Sequence, residues 1–161
     1  MTSGPADDDR PAYVIFHDIG RFRAQLFDRL IAPHGLTMSQ AWVLAHLFVE
    51  DKLTQTEIAR RMEMGTVTVG GLVDRLEAAG LVERHSEPTD RRAKRVWLTK
   101  AARPLGRVMD RCANEVNEAA FAGLPDQVVS EMMENLGKMR NNLLHALQPE
   151  LPVAAKKITK E

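Results

Sequence analysis

Cysteine is almost absent from this chain: Cys112 is the sole example in 161 residues. A single thiol excludes an intramolecular disulfide. It also excludes a cysteine-based metal site, which needs several ligands. The compartment expected is reducing and cytoplasmic. Net charge is absent as well, with 22 basic and 22 acidic side chains. That balance argues against general polyanion binding. It leaves room for a local basic patch, and groove recognition depends on local charge. No apolar run approaches the ~18 residues of a membrane span. The opening MTSGPADDDRPA lacks the basic and apolar regions of a signal peptide. Enzyme signatures are missing too: there is no metal-ligand spacing, no Gly-rich phosphate loop and no nucleophile motif. The histidines (His17, His34, His46, His85 and His145) are scattered. No cofactor and no metal are expected.

What the chain does have is helical periodicity. Ile15, Ile19, Phe22, Leu26 and Leu30 recur at steps of four and three, which predicts a helix from Ala12 to about Ala32. Pro33-His34-Gly35 ends it. Thr37-Met38-Ser39-Gln40 and Thr54-Gln55-Thr56-Glu57 both read as capping boxes. The first opens a helix to about Val49 with Leu44, Leu47 and Phe48 on its core face. The second opens a short helix to Met62. After a tight break at Glu63-Met64-Gly65, another helix is expected from Thr66 to Ala79, stopped by Gly80. Leu81–His85 and Arg95–Thr99 read as paired strands. Thr99 is expected to cap a long helix to about Ala122. A last helix to about Leu147 carries Met132, Leu136, Met139 and Leu143 in a coiled-coil-like seam. Residues 1–11 and 148–161 read as a disordered arm and tail.

A capped short helix, a tight turn, a second helix and a basic hairpin together make a winged helix–turn–helix. The fold class expected is mainly α with a small β-wing. On the second helix, Val67, Leu72, Val73 and Leu76 are expected inward. Gly65, Thr66, Thr68, Val69 and Gly70 are expected at the end that meets DNA, where hydroxyls and methyl groups can read base edges. Gly70-Gly71 has a plainer explanation in relieved crowding between helices. Arg75, on the same helix, joins the candidate DNA contacts. In the hairpin tip, TDRRAKRVWLT, Asp90 can orient Arg92, while Arg91, Lys94 and Arg95 suit phosphate contacts. The tip is placed over a minor groove, which attracts arginine where it narrows.

The stretches HGLTMSQAWVL, LTQTEIARRM, TVTVGGLVDRLEAAGLVER and PTDRRAKRVWLT resemble the MarR family of bacterial transcription factors, and the flanking helices extend the resemblance over about residues 12–147. The resemblance implies a homodimer on a near-palindromic double-stranded DNA operator. It implies a helical dimerisation region at 12–36 and 100–147 and a winged DNA-binding lobe at 37–99. It places an arginine at Arg92, beside Asp90, in the minor groove. It also implies a regulator, expected to repress, that releases DNA when a small molecule binds between the two regions. A winged-helix adaptor without DNA binding and an enzyme are the alternatives.

The effector expectation rests on Arg23, which falls inside the apolar arc of the first helix. A guanidinium there needs a partner, either a protein carboxylate or an anionic ligand. Trp42 and His46, four apart on the second helix, supply an aromatic face and a hydrogen-bonding group. The effector expected from these three is an aromatic carboxylate or its thioester. His17 and Arg21 form a second candidate pair on the more polar side of the first helix. Cys112, at an apolar position, is expected to fill core space.

Overall fold

The protein is described here by a computed structural model covering residues 11–86 and 94–147. The arm and tail, and the wing tip with Asp90, Arg91 and Arg92, lie outside the described residues. The elements are α1 (Ala12–Ile31), a 3-10 turn (Ala32–His34), α2 (Met38–Val49), β1 (Leu53–Thr54), α3 (Gln55–Arg61), α4 (Thr66–Ala78), β2 (Val82–Ser86), β3 (Lys94–Leu98), α5 (Arg103–Phe121) and α6 (Asp126–Ala146). They divide into two compact units, the break falling between Ala120 and Phe121.

Local chemistry explains where the helices begin and stop. Both capping boxes form. The Thr37 and Thr54 hydroxyls accept from the amides of Gln40 and Glu57, and those side chains accept in return from the threonine amides. α3 ends with Glu63 at φ 53, the Glu63 amide donating to Arg60 and the Met64 amide to Ala59. α4 ends in the same pattern at Gly80 (φ 69), with donation to Glu77 and from Leu81 to Leu76. This paired closure satisfies carbonyls that a helix end otherwise leaves bare.

The core of the first unit lies where α2, α3, α4 and the sheet converge. Val43, Leu44, Leu47, Ile58, Val69, Val73, Leu76 and Val96 are fully buried there. Ile31 of α1 and Met109 and Cys112 of α5 extend the same cluster. Phe48, expected on the core face, is partly exposed and lies against α5, where a Cβ on Gly106 would sit 3.6 Å from its ring.

The sheet is antiparallel with order β1-β3-β2. β3 is central, pairing Val96 with Leu53 on one side and with Arg84 on the other. β1 was not anticipated: two residues give no alternation to read. Thr99 does not cap α5, which starts four residues later. Its hydroxyl instead donates to the carbonyls of Gly80 (2.8 Å) and Leu81 (3.2 Å), tying the base of the wing to the end of α4.

In the second unit α6 is amphipathic. Met132 and Leu136 are half-buried, while Met139 and Leu143 are exposed. No helix among the described residues is long and apolar enough to cross a membrane.

The second capping box makes stability depend on pH. Hydrogen bonds from the Thr54 backbone and then its side chain hold the Glu57 carboxyl below its ordinary value of about 4.5. A lowered folded pKa stabilises the protein above the unfolded value, and that contribution is lost as pH falls through the folded pKa. Glu57→Gln should therefore flatten the acid limb of the stability curve below about pH 4.5. Thermal melts across pH 3–6 read this directly; an acid limb identical to that of the parent chain would show that the bond is not kept in solution.

Candidate nucleic-acid interface and effector cavity

The apolar stripe of α4 runs Val69, Leu72, Val73 and Leu76, the i, i+3, i+4, i+7 spacing of one helix face. This corrects two expectations. Val69, expected at the DNA-facing end, is wholly buried. Val67 was placed inward, yet it is 88% exposed. The two lie about 200° apart on the helix, so the burial of one exposes the other. Gly65, Thr66, Val67 and Thr68 therefore form an exposed leading turn.

Gly70 is also corrected. It does not offer its backbone outward but receives the side chain of Gln55 from α3. A Cβ at Gly70 would lie 2.8 Å from Gln55 Nε2. That amide donates to the Thr66 carbonyl at 2.9 Å, so the glycine permits a close crossing of the two helices.

Arg84, read from the sequence only as a strand residue, proves to hold the lobe together. Its guanidinium pairs with Asp74 (2.7 Å) and Glu77 (2.6 Å) and donates to the Gly70 carbonyl at 3.3 Å. Its own amide donates to Glu77 Oε1 at 3.0 Å. The side chain is only 16% exposed. β2 is thus strapped along α4, and through Gln55 to α3. Three of these partners lie on one helix within eight residues, but nothing in the sequence announces that a strand arginine reaches them. Arg84→Met is expected to lower stability by about 1–3 kcal/mol, since the carboxylates and carbonyl lose a charged donor. Amide exchange at Thr66–Gly70 should rise with it; unchanged exchange there would show that Arg84 does not restrain the leading turn.

Of the remaining candidates, Arg75 and Lys94 are exposed. Arg95 is partly engaged within the protein, donating to the Lys52 carbonyl at 2.9 Å and lying 3.9 Å from Glu57. At the wing base the Trp97 and His85 rings pack at a tilt of 49° (centroids 4.8 Å apart), and the Lys52 ammonium sits 4.3 Å from the indole centroid.

The proposed ligand residues separate. Trp42 and His46 line a cavity of about 370 Å³ formed by α1, α2 and α5. Phe27, Val49 and Met109 supply further apolar wall, and Asp110 stands at it too. Trp42 is half-exposed, and its ring meets His46 edge-on at 6.4 Å. His46 Nε2 is buried and has no hydrogen-bond partner among the described residues. Burial, and then the positive charge of Arg61, lower its pKa.

Arg23 is not part of this wall. It donates to Asn117 Oδ1 of α5 at 2.7 Å, a neutral partner rather than a carboxylate. His17 and Arg21 do not reach the cavity either. Both lie exposed beside Asp18, Arg21 at 2.7 Å, with the Arg21 guanidinium over Phe22. Cys112 is buried, and burial, with Glu115 adding to it, pushes its thiol pKa up. A thiol kept protonated is a poor nucleophile. Among the described residues no acidic, histidine or cysteine cluster could hold a metal ion.

A short capped helix, a tight turn, a helix with an exposed leading end and a three-stranded wing define a DNA-binding winged helix–turn–helix protein. A sequence profile described as the MarR family matches residues 34–93. The chain is 33% identical over 143 residues to the HTH-type transcriptional regulator TtmR of Methylorubrum extorquens (strain PA1), spanning 88% of this chain and 70% of that one. Among solved structures, a MarR-family regulator from Rhodococcus sp. RHA1 superposes with a TM-score of 0.70 at 27% identity, covering 85% of this chain and 96% of that one. BpsR of Bordetella bronchiseptica, whose DNA binding is regulated by 6-hydroxynicotinic acid, gives 0.70 at 25% identity over 85% and 98%. The chain belongs to the MarR family and is a transcriptional regulator.

Proposed function

We propose that the protein is a homodimeric repressor that reads a near-palindromic operator and leaves it when a small aromatic molecule occupies the cavity beside Trp42 and His46. The observation that carries the DNA reading is the exposed leading turn of α4. Gly65, Thr66, Val67 and Thr68 stand clear of a core that buries their neighbour Val69. Such a turn fits the major groove, where threonine hydroxyls and a valine methyl can meet base edges. Arg75 and Lys94 add phosphate contacts, and the wing tip with Asp90, Arg91 and Arg92 supplies the minor-groove arm.

Cover for two exposed apolar faces supports the dimer. α1 leaves Phe16, Ile19 and Phe22 about half exposed, and α6 leaves Met139 and Leu143 exposed. Helix faces of this kind are unusual on a monomer. The effector reading is supported by the volume and aromatic lining of the cavity, and by the regulation of the related BpsR by an aromatic ligand. Ligand and DNA then oppose each other by one coupling factor.

Titration of DNA from upstream of the chain's own gene, against a scrambled duplex, tests the reading. Arg92→Ala is expected to weaken operator binding by about 1–3 kcal/mol. Lys94→Ala is expected to weaken both duplexes alike and to reduce the salt slope by about 0.9. Equal affinity for the operator and the scrambled duplex would remove sequence-specific regulation from the account.

A further inference from the structure

The leading turn of α4 begins without a side-chain cap. α2 and α3 each open on a capping box, but Gly65, the N-cap of α4, has no side chain to offer. The first amides of a helix have no intrahelical partner, and helix ends fray. In the DNA reading, this same turn has to hold Thr66, Val67 and Thr68 steady against base edges.

Among the described residues two side chains hydrogen-bond to the backbone of this stretch, and both come from other elements. Gln55 Nε2, from α3, donates to the Thr66 carbonyl at 2.9 Å, and Arg84 Nη2, from β2, donates to the Gly70 carbonyl at 3.3 Å. Those carbonyls are about 6 Å apart along the axis of α4, roughly one turn. Gln55 also presents Oε1 to Arg84 Nη2 at 3.5 Å, the long edge of hydrogen-bond range. The amide fits one way round, because a carbonyl needs a donor and a guanidinium an acceptor. Gln55 therefore stands between the wing strand and the leading turn. Its place is open because residue 70 is a glycine: a Cβ there would lie 2.8 Å from Gln55 Nε2 and 3.4 Å from its Cδ.

We propose that Gln55 is a positioning residue for sequence discrimination: its amide sets the leading turn of α4 against the wing, and Gly70 admits that amide rather than approaching DNA. The proposal rests on the reading of the leading turn as the base-contacting surface. Base contacts carry sequence information, whereas phosphate contacts serve any duplex. Loss of the Gln55 amide therefore reaches operator binding and spares the scrambled duplex.

Gly70→Ala separates positioning from simple stability. Alanine is the better helix former, and the atom it displaces is the far end of a flexible side chain, so the melting temperature should hold or rise. Its Cβ nonetheless moves the Gln55 amide off Thr66. Gln55→Ala and Gly70→Ala are each expected to lower the ratio of operator to scrambled affinity by about three- to tenfold, the size of one hydrogen bond. The salt slope should not change, since no charge is removed. The double variant should discriminate no worse than Gln55→Ala alone, because Gly70→Ala then has no amide to displace. Titrations of the parent, the two single variants and the double variant against both duplexes, with a thermal melt of each, give the result. Losses that multiply in the double variant would mean that Gly70 itself meets DNA, and would overturn the proposal. So would equal weakening on both duplexes, or unchanged ratios in the single variants. A parent chain that does not tell the operator from the scrambled duplex overturns the reading of the leading turn as well.

Discussion

Val69→Asp will leave the chain largely unfolded, whereas Val67→Asp, two residues away on the same helix, will fold normally and fail on DNA. Val69 is fully buried between α4 and the rest of the core. A carboxylate there would sit in the apolar core cluster, and an unpaired buried charge costs several kcal/mol. Whole domains are stable by only about 5–15 kcal/mol, so the loss is large on that scale. Val67 is 88% exposed in the first turn of α4. An aspartate near a helix N-terminus is mildly favourable, by about 0.3–1 kcal/mol, so the melting temperature should hold or rise. The same negative charge would face the phosphates of a bound duplex. A like-charge juxtaposition of that kind costs several kcal/mol at an interface, enough to lower operator affinity by well over tenfold. Circular dichroism melts and operator titrations of the two variants give the comparison. Full operator affinity in Val67→Asp would move the DNA-facing surface away from the leading turn of α4.

The second large effect concerns assembly. Met139→Glu combined with Leu143→Glu is expected to give a folded monomer with operator affinity about 100-fold lower or worse. Both side chains are already exposed within the single chain, so the exchange should not disturb its own fold. In a dimer the same positions would bring glutamates against their symmetry mates at a two-fold interface. Loss of the dimer removes the effective-concentration advantage of two linked half-site contacts, an advantage of about 10²–10⁴. Sedimentation at micromolar concentration and titration against full and half operators measure both consequences together. A double variant that stays dimeric would place the interface elsewhere than on this face of α6.

Much of the lobe is legible in the sequence. The capping threonines, Thr37 and Thr54, the stop at Gly80 and the break at Glu63–Gly65 all act over three to six residues. Such interactions are written in adjacent positions, and each formed as expected. The strands shifted by one residue, because a hairpin register depends on its partner and not on composition alone. β1 escaped because its two residues become a strand only by pairing with β3. The inward face of α4 was mistaken at Val67 and Val69. Both are apolar, and the phase of a helix near its first turn is decided by the surface it packs against.

The sequence by itself determined the class of each helix, the ends set by capping threonines and by Gly80, and the family, because periodicity and caps are short-range physics. Tertiary structure alone decided which valine faces out, where Arg84 finds its carboxylates and carbonyl, and what surrounds the cavity. Arg23 shows why. Its apolar arc correctly signalled a guanidinium in need of a partner, but that partner, Asn117, lies 94 residues away. Whether a buried charge meets a carboxylate, an amide or a ligand depends on which distant side chain the fold delivers within about 3 Å, and hydrogen-bond energy falls away too steeply with distance for spacing along the chain to predict it.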